Sequence, residues 1–168
     1  MNFLEKYTIR SLSKSQIKEA VALYHRVFGN KQNYSGAIWI PASVYKKEYE
    51  EIYKEGRTKS VDAWAVCDKK RIIAVTGLFV QEDEPDTTWI SWFFVHPEYR
   101  RQGIGSALLK WTIAEARRRR KKYLKVYSSD HPRERASAYL YEKYGFAITK
   151  KTPEPNTKYT LIFRRLKL

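Results

Sequence analysis

The apolar stretch TTWISWFFV runs into HPEYRRQGIGSALL after Val95, so a strand-like segment becomes a helix-like one across Gly103 and Gly105. Alternating apolar residues before the glycines read as a buried strand. Behind them, Ile104, Leu108, Leu109, Thr112, Ile113 and Ala116 recur at helical spacing. Two glycines at such a junction let the backbone turn tightly and approach a ligand with no side chain in the way. The first helical turn offers free N–H groups and the positive end of its dipole, and Arg100 and Arg101 add full charge beside it. The junction therefore predicts an anion site that suits a pyrophosphate. The alternative is an ordinary strand-to-helix turn with solvated arginines, since short glycine motifs are weak alone.

Around this junction the periodicity alternates. Tyr7 to Leu12 reads as a short strand, and SKSQIKEAVALYHRVFG places Ile17, Ala20, Val21, Tyr24, Val27 and Phe28 at helical spacing, closed by Gly29. After a loop with Trp39 and Pro41, ASVYKKEYEEIYKEG predicts a second amphipathic helix through Tyr45, Tyr49, Ile52 and Tyr53, ending at Gly56. From Asp62 the spacing is that of strands: DAWAVCD, RIIAVTGLFVQED and TTWISWFFV, separated by DKK and EDEPD. An antiparallel meander is expected there. After the junction and its helix come a strand YLKVYSS, a helix PRERASAYLYEKYG, and two strands around FAITK and KYTLIFRRL. The order β α α β β β α β α β β describes an α/β (α+β) chain with about four helices. Its 168 residues show no repeat or linker, so one domain over 1–168 is expected.

Composition excludes several classes. With 43% hydrophobic and 15% aromatic residues the chain is not disordered, and no stretch approaches the roughly 20 apolar residues of a membrane helix. Glu5 and Lys6 arrive before a secretory signal could develop, so a cytoplasmic protein is expected. Cys67 is the only cysteine, which excludes an internal disulfide and a cysteine-based metal cluster; it reads as a small core residue of a strand. No metal is expected. A formal charge of +15 would attract polyanions: nucleic acid, an acidic membrane surface, or a small ligand with several phosphates.

Two glycine templates fail. No glycine is followed by Lys and Ser or Thr at Walker spacing, and Leu108 stands where a dinucleotide fingerprint needs its third glycine. What matches is R-x-x-G-x-G, with Arg100, Gly103 and Gly105 directly between strand and helix. With this motif the chain resembles the GCN5-related N-acetyltransferase (GNAT) family. A second signature strengthens the resemblance: SAYLYEKYGF, Ser137 to Phe146, is similar to the family's A-x-x-L-Y-E-K-x-G-F pattern, in which a helix enters the next strand. The element order follows the family's from Tyr7 to Leu166.

The resemblance implies a mostly antiparallel central sheet with one splayed parallel strand pair, and an acetyl-CoA-dependent N-acetyltransferase as the activity. Backbone N–H groups of Arg101, Gln102, Gly103, Ile104, Gly105 and Ser106 would hold the pyrophosphate of coenzyme A, beside Arg100. The pantetheine arm would lie along Phe93, Phe94 and Val95 like an added strand. Tyr141 matches the tyrosine that protonates the departing thiolate or hydrogen-bonds its sulfur; a phenol of pKa near 10 suits this, being protonated at neutral pH. The plainer reading is one packed tyrosine among 13. Lys143 would reach coenzyme phosphates or remain solvated. A gapless match places Glu134 where many relatives carry Asn, and Ser137 where alanine is usual. Family members often dimerise, so a homodimer is compatible with the resemblance.

The general base is not evident. An amine of pKa about 10.4 is neutral in roughly one molecule in a few thousand at pH 7, whereas an α-amine of pKa about 7.7–8.0 is neutral about a tenth of the time or more. Many relatives carry a glutamate in the strand before the pyrophosphate turn; TTWISWFFV contains no carboxylate. Three routes stay open: water relay to Glu82, Asp83, Glu84, Asp86 or His96, relay to a backbone carbonyl, or an acceptor of lowered pKa. The acidic turn also reads as a solvated hairpin, and His96 as lying nearer the coenzyme than the acceptor. Trp39, Trp89 and Trp92 would line an acceptor pocket or belong to the core. The run RRRRKK, Arg117 to Lys122, reads as a solvated helix C-terminus, with a nucleic-acid arm as the functional alternative. The competing function is a non-catalytic module of the same fold that binds coenzyme A or nucleic acid through its basic surface.

Overall fold

The structure, a computed structural model, describes residues 6–29 and 35–168; the N-terminal stretch with Glu5, read above against a secretory signal, lies partly outside them. The strands are β1 (Thr8–Ser11), β2 (Thr58–Asp68), β3 (Arg71–Gln81), β4 (Thr87–Val95), β5 (Tyr123–Ser129), β6 (Ala147–Pro153) and β7 (Thr160–Lys167). The helices are α1 (Ile17–Phe28), α2 (Trp39–Ala42), α3 (Glu50–Glu55), α4 (Ile104–Arg118) and α5 (Arg135–Lys143). All seven strands form one sheet in the order β1-β2-β3-β4-β5-β7-β6. Every neighbouring pair is antiparallel except β4 and β5. The two-residue link Lys69–Lys70, with φ +55° at Lys69, closes the first hairpin of the expected meander.

Both faces of the sheet bury apolar residues. On one, Ala20, Leu23 and Tyr24 of α1 pack on Val61, Ala63, Ala65 and Cys67 of β2 and on Trp92 and Phe94 of β4. On the other, Leu109, Ile113 and Ala116 of α4 meet Ile90, Leu124, Val126 and Tyr141, while Ile104 and Leu108 cover Val66, Ile73 and Ala74. Leu108 and Leu109 are fully enclosed, each worth about 1.5–3 kcal/mol. Cys67 is a buried core residue as read from sequence, and burial pushes its thiol pKa up.

The second helix differs from the sequence expectation. Residues 43–49 are not helical, and the predicted helix survives only as α3, preceded by the single turn α2. The cause is local: the carbonyl of Pro41 accepts from both Val44 N and Tyr45 N, and Ser43 Oγ donates to Ile40 O, which ends α2. Tyr53 then donates from α3 back to Ala42 O and locks the break. Tertiary contacts here override an amphipathic period that was correct for only its last six residues.

Candidate active site

Strands β4 and β5 pair only at Thr87–Tyr123, Thr88–Leu124 and Trp89–Lys125. Beyond Trp89 they part. Strand β4 continues to Val95 paired with β3 alone, and β5 continues to Ser129 paired with β7 alone. The edge of β4 facing the gap is thus unpaired from Ile90 onward. A bulge sits where the strands separate: Gly77 of β3 faces Trp92 and Leu78 faces Ile90, so Ser91 is the extra residue. Gly77 permits this approach, because a Cβ there would lie 2.2 Å from Trp92 Cε3 and 2.4 Å from Ser91 Oγ. Sequence reading passed over this glycine, although an isolated glycine in a strand is the ordinary signal of a bulge.

Phe93, Phe94 and Val95, the residues expected along the pantetheine arm, form the end of this open edge. Their side chains alternate: Phe94 packs on Tyr24 and Phe28, while Phe93 faces Tyr141 with ring centroids 5.9 Å apart. At the end of β4 the Arg100 side chain folds back and donates from Nε to Val95 O at 3.1 Å.

The glycine turn follows. Arg101 and Gly103 both have left-handed φ, +61° and +82°. Such conformations set close along a chain turn successive N–H groups toward one concavity. Helical bonding in α4 starts with Ala107 N donating to Gly103 O, which leaves residues 104–106 as the unbonded first turn. Arg101, Gln102 and Gly103 are exposed, and a Cβ on Gly103 would meet nothing within 4 Å. Unbonded N–H groups at the start of a long helix, beside open space, are the chemistry of an anion cradle. Gly105 has a different reason: a Cβ there would come within 3.3 Å of Leu140 Cδ1, so it lets α5 pack on the first turn of α4. Ser106 Oγ and Tyr144 Oη, 2.6 Å apart, fasten the same contact.

Tyr141 lies on the inward face of α5, 3% exposed, between Phe93 and Phe146. Its hydroxyl has no hydrogen-bond partner among the described residues. Burial, then the nearby Glu134 charge, pushes its pKa well above that of an ordinary phenol, while Arg164 acts in the opposite sense. Arg164 is itself 2% exposed, donates to Ser128 Oγ and Glu142 Oε1, and keeps an enclosed Nε without a partner. Nothing in the sequence signalled this cation. Glu134, the departure from the family's Asn, accepts from Ser129 N and Ser129 Oγ at 2.8 and 2.9 Å. It fixes the end of β5 and with it one wall of the gap.

Of the candidate proton acceptors, Glu82 is exposed with no side-chain partner among the described residues, and the others are engaged. Glu84 takes Trp89 Nε1 at 2.9 Å and Lys125 Nζ at 2.5 Å; Asp86 pairs with Lys122 at 2.6 Å, and Asp83 with Arg57 at 3.7 Å. His96, 3% exposed, lies 2.9 Å from Arg71 Nη2 and 3.3 Å from Arg26 Nη1 through Nε2, while Nδ1 accepts from Glu98 N. Burial and then the Arg71 charge hold its pKa below the usual imidazole value. Trp92 is core, donating to Gly36 O, and Trp39 packs on Tyr53; only Trp89 remains at the gap. Among the described residues no cluster of His, Cys, Asp and Glu could hold a metal, and no helix is long and apolar enough to cross a membrane.

A strand pair that opens at a bulge, an anion cradle at its end and a buried tyrosine across the gap define an acyltransferase fold of the GNAT type. The acetyltransferase (GNAT) family profile matches residues 32–146, and the chain belongs to that family. Solved structures agree in fold. The ribosomal-protein-S18-alanine N-acetyltransferase of Escherichia coli is 20% identical with a TM-score of 0.70, covering 96% of this chain and 93% of its own. The yncA protein of Salmonella typhimurium, solved with its cofactor acetyl-CoA, is 18% identical with a TM-score of 0.69, covering 96% and 94%. An N-acetyltransferase from Staphylococcus aureus Mu50 is 17% identical with a TM-score of 0.69, covering 96% and 98%. No curated protein sequence matches the chain.

Proposed function

We propose that the chain, as one domain over residues 1–168, transfers the acetyl group of acetyl-CoA to a primary amine. The observation that carries this reading is the opening of β4 from β5 directly below the Gly103 turn, with Tyr141 facing Phe93 across it. The free amides of residues 104–106 and the dipole of α4 would hold the pyrophosphate, with Arg100 and Arg101 supplying charge. The unpaired edge formed by Phe93, Phe94 and Val95 would hold the pantetheine amides as a neighbouring strand does. Gln102, whose Nε2 donates to Glu98 O, keeps the turn closed.

In the transfer the amine nitrogen attacks the thioester carbonyl. A C–N bond forms, the C–S bond breaks, and the sulfur takes the proton of the Tyr141 hydroxyl. The second proton, lost by the amine, leaves to solvent, and the phenolate is refilled from solvent. A group that stays protonated at working pH and has no partner of its own is suited to this donation. Products are an N-acetyl amide and free coenzyme A.

The test is steady-state turnover of acetyl-CoA against a panel of amines, for the native chain and Tyr141→Phe. The substitution keeps the ring packed between Phe93 and Phe146. A fall in kcat of about 10²- to 10⁴-fold with an unchanged melting temperature is expected; equal rates for both proteins would remove Tyr141 from the mechanism.

A further inference from the structure

Arg164 stands in the middle of β7, directly opposite Val126 of β5. Partners in a ladder share one face of the sheet, and Val126 belongs to the same buried cluster as Tyr141, so the guanidinium lies on the side that α5 covers. Among the described residues Arg164 is the only buried Lys or Arg. Two elements hold its fork. Nη1 donates to Ser128 Oγ at 2.9 Å, near the end of β5 that borders the gap, and Nη2 donates to Glu142 Oε1 at 3.2 Å, on the residue that follows Tyr141. Its enclosed Nε has no partner.

Stability does not account for this arrangement. Buried ion pairs are often replaced by apolar residues at no loss, and an enclosed N–H left unpaired is a cost. The pairing is also one-sided: the Glu142 side chain is 57% exposed while that of Arg164 is enclosed, so the hydrated carboxylate neutralises the buried charge incompletely. Tyr141 presents the complementary problem. Its hydroxyl is buried without a partner among the described residues, and the charges acting on it are Glu134 and Arg164. In the proposed transfer the Tyr141 O–H bond breaks and an S–H bond forms, so the negative charge of the departing thiolate passes to the phenolate oxygen. That charge arises where water is largely excluded, and the Glu134 carboxylate opposes it.

We infer that Arg164 is a positioning residue of the transfer, a fixed buried cation that offsets the phenolate charge of Tyr141 until solvent returns the proton. A guanidinium keeps its own protons throughout, so the step needs no further acid or base. Ser128 and Glu142 hold the charge in place before the reaction starts, and no rearrangement is needed when the phenolate forms. This inference rests on the acetyltransferase reading above, with Tyr141 as its acid.

The experiment measures coenzyme A release from acetyl-CoA with the fastest acceptor among phenethylamine, spermidine, a lysine-rich peptide and a peptide with a free alanine N-terminus. The proteins are the native chain, Arg164→Met, Arg164→Gln and Arg164→Lys, each with and without Tyr141→Phe. Arg164→Met should lower kcat at least about tenfold while KM for acetyl-CoA stays within about twofold, and Arg164→Lys, which keeps the charge, should recover most of the loss. In the Tyr141→Phe background, where no phenolate forms, the same Arg164→Met change should cost less than about twofold. Equal losses in both backgrounds, or a native kcat in Arg164→Met, would overturn the inference. Arg164→Gln replaces Arg164→Met if the latter does not melt cooperatively; if neither neutral variant folds while Arg164→Lys does, the charge serves folding and the inference is overturned. Equal rates for the native chain and Tyr141→Phe remove the acid, and the inference with it. If no amine is acetylated and acetyl-CoA is not bound, the acetyltransferase reading itself falls.

Discussion

Tyr141 and Gly103 each answer to a separate physical demand. A phenol buried to 3% and lying near Glu134 resists ionisation, so its proton is available for transfer across the working pH range. The sign is definite: because its pKa is raised, the protonated fraction falls only above the ordinary phenol value of about 10. The pH profile of kcat should therefore rise as the acceptor amine deprotonates, with no descending limb from Tyr141 up to pH 10. His96 titrates in the other sense. Its folded pKa lies below the unfolded value of about 6.5, so the folded chain binds fewer protons and loses stability as pH falls from about 6.5 toward the folded pKa. Arg26, Arg71 and Arg100 oppose the imidazolium and only Glu98 favours it. Thermal melts at pH 7.5 and 5.5 should show a smaller loss for His96→Gln than for the native chain; equal losses would place the acid sensitivity elsewhere.

Among the elements, the β4–β5 gap depends on a bulge, and the bulge on one glycine. Gly77→Ala forces a Cβ against Trp92 and Ser91, and the strand must shift or the bulge must slide. Overpacking of this kind costs about 1–3 kcal/mol, which for a chain of this size is a fall of roughly 2–12 °C in melting temperature. Activity should fall further than stability alone explains, since the open edge of β4 starts at the displaced residue. Calorimetry together with kcat/KM on the same preparation separates the two losses.

Much of this was legible beforehand. The order of elements along the chain and the turn at Gly103 between strand and helix follow from the change between periods of 2 and 3.6, and the family resemblance supplies Tyr141 as a candidate. The break of the second helix was not, because it rests on Tyr53 and Pro41 bonding to backbone groups several residues away. Nor was the place of Arg164, since Ser128 and Glu142, which hold it, come from β5 and α5, whose approach to β7 only the folded chain reveals. The packing of Leu140 against Gly105 is a tertiary fact no local pattern encodes, and it stands beside the expectation that the Gly105 amide faces a ligand.

Across the whole molecule, a charge of +15 is less available than it looks in sequence. In the run RRRRKK, Arg118 and Arg119 bind Glu115, Arg119 also binds Asp62 and lies over Trp64, and Lys121 and Lys122 close onto Pro85 O and Asp86. The run ties the C-terminal end of α4 to the turn before β4, which favours the enzyme over a nucleic-acid module. RNA binding should accordingly be weak and fall steeply between 50 and 200 mM salt; affinity that survives high salt would argue for a dedicated nucleic-acid surface. In the proposed reaction the turn at Gly103 would hold the pyrophosphate of the acyl donor. Calorimetric titration of acetyl-CoA into the native chain and into Gly103→Glu tests it most directly, with Gly103→Asn as the control, because any side chain at φ +82° strains the turn and only the glutamate adds a charge beside the cradle. Saturable one-to-one binding by the native chain, kept in Gly103→Asn and lost in a Gly103→Glu chain that still melts cooperatively, is the predicted result. Equal binding by the native chain and Gly103→Glu, or none by the native chain, would contradict it.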